Sequence, residues 1–179
     1  VIVFTAHYDS VSYSKGAYDN ATGSTGIMQL LAYFKEHQPE RTLKFVWCGS
    51  EEMGLLGSKA YCQAHKEELK SHKLCINIDM IGVTIGFDIA CCTSNTSLVS
   101  YIKYLANEVG FAIMPRQGVY SSDSTPFADK GIPAVSFART LSPSRSSAET
   151  EQPSLSPLIV KETVKSYVLS FFSVSTQKS

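Results

Sequence analysis

No apolar run in this sequence approaches the ~20 residues that span a bilayer, so no membrane-spanning helix is expected within it. No charge of one sign dominates, since lysine plus arginine and aspartate plus glutamate number 16 each. That balance removes the electrostatic reason to expect a nucleic-acid partner. No C-x-x-C pair occurs among Cys48, Cys62, Cys75, Cys91 and Cys92. A zinc ribbon and a thioredoxin-type redox motif are thereby excluded. No internal repeat is found. No initiator methionine, charged leader or cleavage site precedes the first apolar run, so the chain reads as a fragment or a processed chain. Its compartment and redox environment stay open.

What is present is an ordinary globular composition, 44% hydrophobic and 18% charged over 179 residues. That length suits one domain spanning residues 1–179, able to bury about 70% of its unfolded surface. Residues 1–6 form a continuous apolar run, fit for a strand buried on both faces. Residues 21–36 carry Ile27, Leu30, Leu31 and Phe34 at helical spacing. Strands are predicted over Thr42 to Cys48, Leu74 to Ile78, Phe87 to Cys92 and Ala134 to Phe137. Helices are predicted within 54–70, over 97–109, briefly at 125–130, and over 157–173. Residues 139–156 read as a loop rich in Ser, Thr, Pro and Glu. This alternation predicts an α/β fold with helices on both faces of a mainly parallel sheet. The cysteines read as small buried hydrophobes, with Cys91 and Cys92 on opposite faces of their strand.

Polar residues collect where the strands end. His7 and Asp9 follow the first strand, Glu51 and Glu52 the second, and Asp79 the third, while Asp19 precedes the first helix. Singly, each has a plain structural role: a satisfied histidine, a solvated turn, an N-cap. Together they deliver imidazole and carboxylate groups to one sheet edge, where open α/β folds place their sites. Five carboxylates meeting there would repel one another unless cations neutralise them. Imidazole and carboxylate are ligands that suit zinc or a related divalent ion.

The stretches His7-Tyr8-Asp9-Ser10, Gly16 to Gly23, Ser50 to Ser58 and Asn77 to Gly82 resemble the co-catalytic dizinc aminopeptidase family. Glutaminyl cyclases and transferrin-receptor-like ectodomains share that family. Ser122 to Phe127 and Gly131 to Val135 extend the match, so it covers about residues 1–138. The resemblance implies a three-layer α/β/α sandwich. It also implies an opening helix and one or two strands, absent here, that would pack beside residues 1–6. It implies that His7 and Asp79 bind one metal, that Glu52 binds the other, and that Asp19 bridges both. Glu51 would be the general base, and Asp9 would hold the second nitrogen of His7. A cis Asp19–Asn20 peptide bond is implied too. The substrate would be a peptide with a free amino terminus, and an extracellular or cell-envelope setting is favoured.

Two departures from the family pattern alter that expectation. The family's late histidine has no counterpart, because no histidine follows His72, and Arg145 falls on its position. Ser124 stands where the family has another histidine. A guanidinium offers donors only and cannot ligate a metal. The expectation is therefore one firmly bound zinc (His7, Asp19, Asp79), with a second ion weak or absent. Arg145 would replace the lost ligand by pairing with Glu52 and Asp19. A metal-dependent aminopeptidase is the leading expectation. The alternative is a non-catalytic homologue, a binding domain with a degenerate metal site. Glutaminyl cyclase ranks lower, since its single zinc needs the missing late histidine. Oligomeric state is not written in the sequence.

Overall fold

The computed structural model describes residues 1–93 and 96–141. Six strands form one sheet in the order β2-β1-β3-β6-β4-β5. They are β1 (Ile2–His7), β2 (Leu43–Cys48), β3 (Leu74–Ile78), β4 (Phe87–Cys92), β5 (Ile113–Gln117) and β6 (Ala134–Thr140). All neighbours run parallel except β4 and β6, which pair antiparallel with Asp88 opposite Arg139.

Helices cover both faces, as the alternation predicts. On one face Ile27 and Leu30 of α1 (Ala21–Glu36) and Ile102 of α3 (Thr96–Glu108) pack with Phe4, Ile76, Val135 and Phe137. On the other, Cys62 of α2 (Leu56–Ala64), Leu69 of a 3₁₀ turn and Phe127 of α4 (Thr125–Ala128) pack with Val3, Cys75 and Ala134. β1 is apolar except for Thr5 and His7 because it is sandwiched between these layers and flanked by β2 and β3. Both sides of β1 are thus taken. Among the described residues the open edges belong to β2 and β5, so nothing further can pack beside residues 1–6 in the sheet. All five cysteines are buried and free, with Cys92 and Cys91 in different clusters on opposite faces.

β5 was not expected from the sequence, because Pro115 and Arg116 break its apolar pattern. An edge strand tolerates a proline, since its missing N–H can face away from the ladder. The expected helix over 157–173, Arg145 and most of the 139–156 loop lie outside the described residues.

The start of α1 is pressed against the end of β3. A Cβ on Gly23 would stand 2.1 Å from the Ile78 carbonyl oxygen and 2.5 Å from Asn20 Oδ1. Backbone on one side and a capping side chain on the other leave no room to give way. Gly23→Ala should cost about 3 kcal/mol of stability, at the upper end of overpacking effects. Urea denaturation checks this, and an unchanged midpoint would contradict so close an approach.

Candidate metal centre

β2, β1 and β3 are adjacent and parallel, so their carboxyl ends open onto one edge. His7 is the last residue of β1, and Asp79 directly follows β3. Asp19 lies in the loop before α1, and its peptide bond to Asn20 is cis. Asn20 caps α1 by accepting from the Gly23 N–H at 2.8 Å. Glu51 and Glu52 follow β2 in a tight loop entered through Ser50 at φ 56.

The imidazole of His7 is buried, at 1% exposure. Its Nε2 stands 3.1 Å from Asp19 Oδ1 and 3.4 Å from Asp79 Oδ1. Its Nδ1 lies 3.1 Å from the Asp9 carbonyl oxygen and 3.5 Å from the Asp9 carboxylate. Donation from Nδ1 to the carbonyl would leave Nε2 facing the two aspartates. The Asp9 carboxylate is occupied elsewhere: it accepts the Glu51 N–H at 3.0 Å and the Glu52 N–H at 3.2 Å. Asp9 therefore touches the ring chiefly through its main chain, and its side chain anchors the loop that carries Glu51 and Glu52.

His7, Asp19 and Asp79 each offer one ligand atom, all within 4.8 Å of one another. His7, Glu51 and Glu52 form a second such group. Asp79 Oδ1 and Glu52 Oε1 are buried and make no hydrogen bond among the described residues. Buried carboxylate oxygens without donors are costly unless a cation satisfies them. One imidazole nitrogen with two carboxylates is a donor set for a divalent ion. On both counts the residues fit a metal.

The other oxygen of Asp79 is held. Ser122 Oγ donates to Oδ2 at 2.7 Å, and Asn77 Nδ2 donates to Ser122 Oγ at 2.8 Å. Thr5 Oγ1 closes this buried chain on Asn77 Oδ1 at 2.8 Å. Ser124 meets Ser136, hydroxyl to hydroxyl, at 2.7 Å. Nothing in the polar clusters at the strand ends singles out Thr5, Asn77 or Ser122 for this role. Thr5 and Asn77 carry a signal, since a polar residue inside an apolar strand requires a partner, whereas Ser122 lies in a loop and carries none.

Protonation follows from crowding. Burial opposes charge on His7, but the Asp19 and Asp79 carboxylates facing Nε2 outweigh it and raise its pKa from 6.5 to about 11. Burial pushes Glu51 from 4.5 up to about 8; the charge on His7 opposes the rise, and those on Asp79, Asp123 and Glu52 add to it. Glu52 is raised by burial and then by Asp19, and Asp123 is raised by burial.

These shifts give the metal-free protein a definite pH dependence. Glu51 is favoured in its neutral form in the fold, so the stability it contributes fades between pH 4.5 and about 8. The stability that the His7 proton contributes by sitting beside the aspartates is full below 6.5 and fades between 6.5 and about 11. In chelator the melting temperature should therefore fall steadily from pH 5 to pH 9. A rise over that interval in a calorimetric series would contradict these assignments.

Similarity to known proteins agrees with this geometry. Aminopeptidase YwaD of Bacillus subtilis is 32% identical over 145 residues, covering 76% of this chain and 31% of the relative. The structure of BSAP, a zinc aminopeptidase from Bacillus subtilis, superposes with a TM-score of 0.78 at 26% identity, over 99% of this chain and 46% of that one. An Acidobacteriales bacterium glutaminyl cyclase shares the fold, with a TM-score of 0.65 at 21% identity over 75% of this chain and 52% of its own. The chain thus spans about a third of YwaD and under half of BSAP. The sequence pattern of peptidase family M28 matches residues 1–154, and the chain belongs to that family.

Proposed function

We propose that this chain is the metal-binding part of a zinc aminopeptidase, removing the first residue of a peptide with a free amino terminus. The observation that carries the reading is His7 Nε2 between Asp19 and Asp79, beside an anchored Glu51 with a raised pKa. Membership of a peptidase family and likeness to a zinc aminopeptidase support it. His7, Asp19 and Asp79 would hold one firmly bound zinc. Glu52 and a share of Asp19 remain for a second, weakly held ion.

Bound there, zinc supplies Lewis-acid polarisation of the scissile carbonyl and water acidified toward neutral pH. Glu51 moves the proton. Its carboxylate accepts a proton from the attacking water and passes it to the departing amine. Asp9 keeps that base in place through the Glu51 N–H. Ser122 fixes Asp79 by one oxygen and leaves the other for the ion. With no second ion held, Glu52 would present negative charge to the ammonium of the substrate, which favours cleavage of the first bond.

A second reading is favoured by one observation, the absence of any histidine after His72 where the family resemblance implies a late metal ligand. Under it the domain binds a partner and catalyses nothing. Hydrolysis of an aminoacyl p-nitroanilide separates the two. The aminopeptidase reading expects turnover that chelator abolishes, zinc restores and N-acetylation of the substrate blocks. No turnover with zinc bound would favour the binding domain.

A further inference from the structure

The loop that carries Asp19 is tied to the rest of the fold by side chains at three points. Asn20 donates from Nδ2 to the Ile78 carbonyl at 3.0 Å and accepts the Met80 N–H at 3.1 Å. Thr22 Oγ1 accepts the Ile81 N–H at 3.2 Å. Both join the loop to the chain around Asp79. The third tie crosses to a different strand. Tyr18 is buried, and its hydroxyl donates to the Arg139 carbonyl at 2.9 Å, near the end of β6.

Arg139 is held from several sides. Its N–H donates to the Met80 carbonyl at 3.0 Å. Its Nη1 reaches the two Asp88 oxygens at 2.8 and 2.7 Å, across the β4–β6 pair. Its remaining nitrogens donate to the carbonyls of Thr84, Ile85 and Gly86 at 3.1, 3.3 and 3.0 Å. Charge-assisted bonds of this kind are short and directional. The acceptor of the Tyr18 hydroxyl is therefore a fixed point.

Asp79 and Asp19 are oriented by different means. The Asp79 carboxylate has Ser122 to orient it. Among the described residues no other side chain donates a hydrogen bond to the Asp19 carboxylate, whose contact is His7 at 3.1 Å. Its place is set by its main chain, one residue beyond Tyr18. Metal–ligand distances keep within about 0.2 Å of their ideal values, so a displaced carboxylate is a weaker ligand.

We propose that Tyr18 is a positioning residue, whose hydroxyl, anchored on the Arg139 carbonyl, holds the Asp19 carboxylate in register with His7 and Asp79 for an ion. This rests on the metal-binding reading given above. Tyr18→Phe removes the hydroxyl and keeps the ring. Zinc affinity, measured by competition with a chromophoric chelator, should weaken about 10-fold, as outer contacts to metal ligands typically do. The visible spectrum of the cobalt(II)-loaded protein should shift with it, because its bands report ligand geometry. Asp88→Asn, which loosens the anchor without touching Tyr18, should weaken zinc in the same direction. Ser100→Ala removes an exposed hydroxyl-to-carbonyl bond in α3, to Thr96, and should change neither readout. A lower melting temperature of the metal-free Tyr18→Phe protein with unchanged affinity and spectrum would make Tyr18 merely structural and overturn the proposal. So would unchanged affinity in Asp88→Asn if Tyr18→Phe fails to fold. A parent protein that binds no zinc overturns the metal-binding reading and this inference together, whereas a parent that binds zinc no better than Tyr18→Phe overturns this inference alone.

Discussion

Glu51→Gln should retain its zinc and lose turnover by about 10³-fold, within the ~10²–10⁴ range that a positioned general base contributes. Glutamine has the same shape and keeps the main-chain N–H that Asp9 accepts at 3.0 Å. It also stays outside the His7–Asp19–Asp79 ligand set. What it lacks is a site for the proton. The wild-type carboxyl is raised to about 8 in the metal-free fold because it is buried among Asp79, Asp123 and Glu52. Zinc content measured beside kcat on an aminoacyl p-nitroanilide checks both halves. Parent-like turnover would remove Glu51 from the mechanism, and lost zinc would make it a ligand.

His7→Ala should fail differently. The imidazole is the one nitrogen donor in the ligand set and sits between two carboxylates at 3.1 and 3.4 Å. Its removal should abolish measurable zinc binding and, with it, all metal-dependent turnover. The metal-free variant should suffer as well. At pH 7 the protonated ring places one positive charge between Asp19 and Asp79, and Asp79 is itself buried. Taking out one partner of such a buried cluster leaves uncompensated charge and a cavity, a loss of about 3 kcal/mol. Chemical denaturation in chelator measures that term apart from the metal. A variant as stable as the parent would mean that the proton on His7 does not hold the two aspartates together.

The strand ends that deliver the site were legible because each apolar run stops abruptly at a polar residue. His7 ends β1, and Asp79 follows Ile78 at the end of β3. The parallel order of β2, β1 and β3 then brings those ends to one edge. The amphipathic stripe of α1 and the buried cysteines were legible for the same reason, since burial follows apolar pattern. β5 was not, because Pro115 and Arg116 carry no strand period and only an edge position makes them acceptable. The second role of Asp9 was hidden too. Its bonds to the Glu51 and Glu52 N–H groups depend on a left-handed turn at Ser50, which no residue pattern announces. The bond from Tyr18 to Arg139 joins residues 121 apart in the chain, and only the packed fold brings them together.

Zinc content per chain decides whether His7, Asp19 and Asp79 hold an ion. Elemental analysis after dialysis against zinc and then zinc-free buffer should give one zinc per chain for the parent and none for His7→Ala. A parent that retains no zinc, or a His7→Ala protein that still retains one, would contradict the account.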